Sequence, residues 1–297
     1  MITSQDIKGS ITAIVTPFKK SGEIDEQGLR ENIEFQIKGN SAGIVPVGTT
    51  GVSPTVTPQE HKGVIEIAVD AAGGRIPVIA GTGANSTSET IEYTRYAEDV
   101  GADAALLVAP YYNKPSQEGL YAHFKKVAGS VDIPLILYNI QGRTAVNIEV
   151  NTITRLSKLN NIIGVKEASG NLNQMSAIIE ATKDEDFVLV SGDDSLTLPV
   201  LALGGKGVIS VAANIVPEKI AEMVSMCLEG DYENARALHY ELMPLFRVLF
   251  IETSPAPIKY AMGLLNMPSG DVRLPLVAPE DENKRIIENV LRDMELI

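Results

Sequence analysis

The sequence predicts an α/β protein of the (β/α)8 TIM-barrel type with a C-terminal helical extension, and three observations carry that prediction. Eight short, continuously apolar runs recur along the chain, helix-period stretches lie between them, and no linker or shift in composition interrupts the alternation. A length of 297 residues suits one barrel with added helices, since such barrels are typically about 250 residues long.

The candidate strands are Ile11–Val15, Gly43–Val47, Pro77–Ala80, Ala104–Ala109, Pro134–Tyr138, Ile162–Lys166, Phe187–Val190 and Val208–Val211. Each is too short and too evenly apolar for an amphipathic helix, which is how a strand reads when both of its faces are covered in a parallel sheet. Between them, Gln27–Lys38, Pro58–Ala71, Glu89–Val100 and Glu118–Ala128 interleave polar with apolar residues at helical spacing. Eight such units without a break favour a closed barrel over an open, doubly wound sheet. Beyond about Pro217 the helical pattern continues through Ala235–Phe250, Pro257–Leu265 and Asp281–Leu291. The expected organisation is therefore a barrel over residues 1–216 and helices over 217–297 packed on it. Together these make one structural domain, with no separate chemistry in the tail.

Composition excludes several classes of function. Hydrophobic residues at 44% and charged residues at 21% describe an ordinary soluble globular chain. The formal net charge of −13, without a cluster of Lys and Arg, argues against a protein that tracks a nucleic-acid backbone. A single cysteine, Cys227, excludes an internal disulfide and suits a reducing compartment. The three histidines, His61, His123 and His239, lack metal-ligand spacing, so a metal-dependent mechanism is not expected. No apolar run reaches the ~18 residues of a membrane span, and the start lacks the basic and apolar regions of a secretion signal. The expected location is the cytoplasm. An acidic chain repels small anions, so an anionic substrate has to be caught by local cations or backbone N–H groups.

In a barrel the chemistry lies where strands run into the loops that follow them. The second strand exits into Gly48-Thr49-Thr50-Gly51 and the fourth into Pro110-Tyr111-Tyr112-Asn113. The fifth ends in Tyr138-Asn139 with Arg143 beyond, and the sixth in Lys166-Glu167. Strand alternation sends Lys166 and Glu167 to opposite faces, which disfavours a salt bridge between them. A lysine pointing into a dry barrel has its charged form destabilised and can become a free amine that attacks carbonyls. Taken alone, the same lysine reads as one that snorkels to solvent or pairs with a distant carboxylate; its neighbours at the other exits shift the balance. Gly48–Gly51 can offer backbone N–H groups and two hydroxyls to a carboxylate, or be a tight turn with Thr at a helix N-cap. Tyr112 and Tyr138 can relay protons, and Arg143 can clamp a carboxylate; the alternatives are core tyrosines and a solvated loop arginine.

Other signals fail. Gly81-Thr-Gly-Ala-Asn-Ser lacks the third glycine of a dinucleotide fingerprint, and Gly204-Gly-Lys-Gly-Val lacks the hydroxyl residue of a P-loop. Asp193-Asp194 reads as a capping turn before a helix rather than a metal pair. Asn85-Ser86-Thr87 matches a glycosylation acceptor but has no secretion signal with it.

Gly48-Thr-Thr-Gly, Gly81-Thr-Gly-Ala-Asn, Pro110-Tyr-Tyr-Asn-Lys-Pro-Ser-Gln-Glu-Gly, Tyr138-Asn with Arg143-Thr144, Gly164-Val-Lys-Glu-Ala-Ser-Gly and Ser191-Gly-Asp-Asp occur in order along the chain. Together they resemble the dihydrodipicolinate synthase family, which sits in a wider group with N-acetylneuraminate lyase and the 2-keto-3-deoxy-sugar-acid aldolases. The resemblance implies a cofactor-free lyase of lysine biosynthesis by the diaminopimelate route, joining pyruvate to L-aspartate 4-semialdehyde to give 4-hydroxy-tetrahydrodipicolinate. It implies that Lys166 forms the imine with pyruvate and that Tyr138 moves protons. Thr50, supported by Thr49, would link Tyr138 to Tyr112, which reaches in from a neighbouring subunit of a homotetramer, a dimer of dimers. It implies further that Thr50, Gly192 and Ile209 line the pyruvate site and that Arg143 binds the carboxylate of the semialdehyde. A lysine effector site would use Ser53, His61, Asn85, Glu89 and Tyr111, with Pro54 and Pro58 altering its loop.

The chain departs from the family pattern at Val52, where Glu is usual, and at Gln141-Gly142, where Pro-Ser is usual. Both positions bear on the second substrate. Two other readings stand beside the synthase: a pyruvate-dependent aldolase of a sugar acid or of N-acetylneuraminate type, and a non-catalytic barrel that binds a small acid. Arg143 favours the synthase, because a site built around a buried charge discriminates against substrates that cannot pair with it.

Overall fold

The computed structural model describes residues 2–297. Eight strands, β1 (Gly9–Ala13), β2 (Gly43–Val45), β3 (Ile79–Gly81), β4 (Ala104–Val108), β5 (Leu135–Asn139), β6 (Ile162–Glu167), β7 (Val188–Ser191) and β8 (Gly207–Ser210), form one parallel sheet in the order β2-β1-β8-β7-β6-β5-β4-β3. The two ends of that order meet through a parallel bridge between Ile44 and Val78 and through bonds from Ile44 N to Pro77 O at 3.0 Å and Gly81 N to Pro46 O at 3.0 Å. The sheet is thereby closed into a barrel without free edges. All eight expected strands are present, displaced by one or two residues at their ends. The second is shorter than the sequence suggests because Val47 takes a left-handed backbone, φ 53°, which ends the extended run.

Helices follow the strands in turn: α1 (Glu26–Lys38), α2 (Pro58–Ala72), α3 (Thr87–Asp99), α4 (Gln117–Ala128), the short α5 (Gln141–Thr144) with α6 (Val150–Leu156), α7 (Leu172–Ala181), α8 (Thr197–Ala202) and α9 (Pro217–Glu229). Their starts are chemically marked. Thr57 and Glu60 form a reciprocal capping box at α2 with Pro58 in its first turn, and the side chains of Asp25, Ser116 and Asn171 cap α1, α4 and α7. Each strand is buried on both faces. Ile11, Val45, Ile79, Leu106, Ile136, Val190 and Ile209 fill the barrel, while Ala105, Leu107, Leu135, Leu137, Val165 and Leu189 pack outward under the helices.

The last three helices, α10 (Tyr232–Val248), α11 (Ala256–Leu264) and α12 (Asp281–Asp293), share one core with the barrel. Leu242, Leu245 and Phe246 of α10, Ile258 and Met262 of α11, and Ile287 and Leu291 of α12 are buried in a cluster that also holds Ile220, Met223 and Val224 of α9 and Val211–Ala213 beyond β8. At about 1.5–3 kcal/mol for each large apolar side chain removed from water, this joint core binds the extension firmly.

Candidate active site

The register of β5 against β6 places the two central side chains. Leu135 pairs with Ile162, but Ile136 pairs with Gly164, so one residue is skipped and Ile163 sits in a bulge. Ile163 packs inside the barrel and Val165 outside. Without the bulge, alternation from Ile163 would turn Glu167 inward; with it, Lys166 points in. Gly164 leaves room for this, because a Cβ there would lie 2.8 Å from the Val188 carbonyl oxygen. Tyr138 and Lys166 are then partners across the two strands, 4% and 5% exposed, with Lys166 Nζ 4.3 Å from the centre of the tyrosine ring.

Glu167, fully buried, faces the other way into a polar layer. It accepts from Asn139 Nδ2 at 2.9 Å, Gln174 Nε2 at 3.0 Å and the Ser169 backbone N–H at 2.7 Å. Asn147 joins the same layer, its Oδ1 accepting from Asn139 Nδ2 at 2.7 Å and its Nδ2 donating to Gln174 at 2.7 Å. A buried carboxylate with this many donors is satisfied in place, and it fixes the end of β6 from behind the lysine. Asn139 follows Tyr138 in the motif at the exit of the fifth strand, whereas Asn147 and Gln174 carry no sequence motif that singles them out.

Gly192, at the exit of β7, is where the lysine stem passes. A Cβ on it would lie 2.9 Å from Lys166 Cε and 2.7 Å from Ala168 Cβ. Ile209 on β8 is 1% exposed and belongs to the same interior cluster as Tyr138. Of the acidic pair beyond β7, Asp193 caps the following turn by accepting from Ser195 N at 2.8 Å. Asp194 does more than a capping turn requires, since its Oδ2 accepts from the Val211 and Ala212 N–H groups at 3.1 and 3.0 Å and ties down the exit of β8. Burial pushes the Asp194 carboxyl above its usual range.

The Gly48–Gly51 segment is a tight turn well before α2 and not a helix cap. Val52 N donates to Thr49 O at 3.1 Å, Ser53 N to Gly48 O at 3.3 Å, and Thr16 Oγ1 to Gly51 O at 2.8 Å. Val47 and Val52, on either side of this turn, stand at φ 53° and 54°, left-handed values that β-branched residues avoid and that cost about 1–3 kcal/mol each. The turn buries Thr50 and leaves Thr49 half-buried. Thr49 and Tyr138 line one small void of about 30 Å³. Thr49, Ser53 and Val108 are also walls of a larger mouth cavity of about 490 Å³, which contains Arg143, Tyr111 and Ile140. Arg143 Nη2 donates to the carbonyl oxygen of Ser254 at 3.0 Å. Ser254, Pro255, Pro275 and Leu276, from the C-terminal extension, complete that cavity; no pattern in the sequence marks them for the site.

Tyr112 is the one proton-relay candidate that the single chain does not bring in. It is 88% exposed, on a left-handed backbone of φ 71°. The five candidate effector residues are partly gathered. Ser53 and Tyr111 line the mouth, and burial, then the Glu89 carboxylate, pushes the Tyr111 hydroxyl up. His61 is buried and engaged elsewhere: Nε2 lies 2.8 Å from Gly81 O, the ring stacks on Tyr93 at 4.2 Å, and burial lowers its pKa to about 4. Asn85 contributes its backbone oxygen, which accepts from Asn113 Nδ2 at 2.8 Å. No group of three His, Cys, Asp or Glu side chains suited to a metal ion occurs among the described residues.

A closed barrel with a buried amine, hydroxyls and a guanidinium at the exits of its strands has the make-up of a β/α-barrel enzyme. The sequence matches the dihydrodipicolinate synthetase family over residues 6–294. It is 54% identical over 291 residues to the 4-hydroxy-tetrahydrodipicolinate synthase of Methanocaldococcus jannaschii, covering 98% of this chain and 99% of that one. Among solved structures it is similar to dihydrodipicolinate synthase from Aquifex aeolicus, with a TM-score of 0.96 and 50% identity over 98% of this chain and 99% of the other. It is similar also to the chloride-inhibited enzyme of Acinetobacter baumannii complexed with pyruvate, with a TM-score of 0.96 and 43% identity over 98% of this chain and all of the other. The chain belongs to the dihydrodipicolinate synthetase family.

Proposed function

We propose that this enzyme condenses pyruvate with L-aspartate 4-semialdehyde to 4-hydroxy-tetrahydrodipicolinate, through an imine on Lys166. The observation that carries the proposal is the pairing of Lys166 with Tyr138 across β5 and β6, both facing into the barrel, with the Lys166 amine 4.3 Å from the tyrosine ring. It is supported by relatives at about half identity that bear the name of this synthase.

In this mechanism the Lys166 amine adds to the pyruvate carbonyl carbon and one water leaves. The protonated imine then serves as an electron sink. Loss of a methyl proton, with Tyr138 as the proton carrier, leaves an enamine whose terminal carbon attacks the aldehyde carbon of the second substrate. The new alkoxide takes a proton. The amine of the semialdehyde then attacks the imine carbon, the ring closes, and the bond to Lys166 breaks to restore the free amine. Thr50, Gly192 and Ile209 line the pyruvate pocket, and Thr49 steadies Thr50 in the strained turn. Arg143, at the mouth, pairs with the carboxylate of the semialdehyde.

Tyr112 completes the relay from a partner subunit of a homotetramer, a dimer of dimers. Its near-complete exposure in the single chain supports that reading, because a large aromatic side chain in water on a strained backbone is accounted for by burial elsewhere. Lysine would bind at Ser53, Asn85, Glu89 and Tyr111, its ammonium facing the Glu89 carboxylate. The compartment proposed is the cytoplasm, where the buried free thiol of Cys227 stays reduced.

Borohydride reduction in the presence of pyruvate, followed by peptide mass mapping, tests the reading. A pyruvyl adduct on Lys166 together with cyclised product on adding the semialdehyde supports it. An adduct without product means a different aldehyde, and no adduct overturns it.

A further inference from the structure

Arg273 lies beyond α11, outside the barrel, yet its side chain is only 23% exposed. All its nitrogens are engaged. Nη1 donates to Thr55 O at 3.0 Å and Glu60 Oε2 at 2.8 Å, Nη2 to Glu60 Oε1 at 2.6 Å and Gly22 O at 2.6 Å, and Nε to Gly22 O at 3.2 Å. The guanidinium also lies over the Phe18 ring, 4.2 Å from its centre. One side chain thus fastens the C-terminal segment to the loop after β1, to the short turn Ser53–Thr55 and to the first turn of α2. The pair with Glu60 is two-pronged, the geometry that gives a charged hydrogen bond both strength and direction.

Two residues further on, Pro275 and Leu276 form part of the wall of the mouth cavity that holds Arg143 and Thr49. Ser254, 3% exposed at the other end of the same segment, accepts from Arg143 with its carbonyl oxygen. Both ends of residues 254–276 therefore touch the half of the site that receives the second substrate, and neither reaches Lys166.

We propose that Arg273 is a positioning residue that determines acceptor specificity: clamped to Glu60, it holds the Pro275–Leu276 wall in place so that an aldehyde enters only in the pose that sets its carboxylate on Arg143. This rests on the condensation proposed above. Arg273 acts through the wall without touching substrate, so its effect falls on the second substrate and leaves the imine step alone. Lysine cannot replace it, because a point charge lacks the fork that bridges Glu60 and two carbonyls.

The test measures three quantities in wild type, Arg273→Lys, Glu60→Gln and Leu276→Ala: the rate of borohydride trapping with pyruvate, KM for aspartate semialdehyde, and the ratio of turnover with that aldehyde to turnover with an uncharged one such as glyceraldehyde. Leu276→Ala removes the wall without touching the clamp, so it remains informative if the clamp variants fold poorly. The expected result is a KM raised about tenfold and a selectivity ratio lowered about tenfold, with the trapping rate within about twofold of wild type. An unchanged KM and ratio in Leu276→Ala and in either clamp variant overturn the proposal, as does an equal loss of trapping and turnover. Absence of a pyruvyl adduct in the wild type overturns the condensation and this proposal with it, whereas an adduct with unaltered selectivity overturns the clamp alone.

Discussion

Replacing Gly192 by alanine perturbs the placement of the reactive amine, since two of the three nearest contacts of the added methyl are to the Lys166 stem. The backbone at this position is open to alanine, and the added methyl carbon is the whole perturbation. It would lie 2.9 Å from Lys166 Cε, 3.1 Å from Lys166 Cγ and 2.7 Å from Ala168 Cβ, where carbon atoms prefer about 3.5–4.0 Å. Ala168 cannot turn away, because its Cβ is fixed by a backbone whose N–H donates to Asn139 O at 2.9 Å. The flexible lysine stem therefore moves, by about 1 Å, to restore its own contact distances, and the contact with Ala168 is relieved by a small shift of the backbone at residue 192. A displacement of about 1 Å at a reacting group costs roughly 10²-fold in rate, so kcat/KM should fall by about two orders of magnitude. The rate of borohydride trapping with pyruvate should fall with it, since imine formation is the step that needs the amine in place. The melting temperature and tryptic stability of the variant check that the fold survives. A well-folded Gly192→Ala enzyme with trapping and turnover within threefold of wild type would show that Gly192 does not set the position of the amine.

Three further outcomes are expected. Tyr112→Phe should lower kcat by about 10²-fold, within the range for loss of a proton-transfer group, without lowering the unfolding midpoint, because the ring is kept and only the hydroxyl is removed; normal turnover rules out the relay. Glu167→Gln should destabilise the fold by about 1–3 kcal/mol, read from urea midpoints, because one amide oxygen has to replace two carboxylate oxygens that accept from three donors; equal midpoints contradict the role given to the polar layer. Burial holds the pKa of both His61 and His123 at about 4, against about 6.5 when unfolded. The folded chain therefore binds fewer protons than the unfolded one between those values. This contribution is full above about pH 6.5 and is lost on acidification towards pH 4, at up to roughly 3 kcal/mol for each histidine. Glu60, lowered to about 2 chiefly by its bond to Arg273, loses its contribution in the same direction below about pH 4.5. Urea midpoints that are equal at pH 7 and pH 5 would contradict the histidine assignment.

Much of this protein is legible from local pattern. Eight apolar runs became eight strands because a segment covered on both faces has to be apolar throughout, and that demand is written in consecutive residues. The rule that function follows strand exits picked out Thr49, Tyr138, Arg143 and Lys166 as candidates, because active sites in closed barrels lie on one rim. Alternation showed that Lys166 and Glu167 face opposite ways. It did not show which one faces in: that choice belongs to the bulge at Ile163, a property of how β5 and β6 pair. The mouth was hidden for the same kind of reason. Ser254, Arg273 and Leu276 lie far along the chain from the loops they touch, and they look like ordinary tail residues until the joint core of α9–α12 folds that tail across the rim. Tyr93 is similar, an unremarkable helix residue until its ring stacks on His61. Secondary structure and the inventory of reactive groups were set by neighbours in sequence. The side on which the amine emerges, and what encloses it, were decided by contacts between residues far apart, which no local periodicity records.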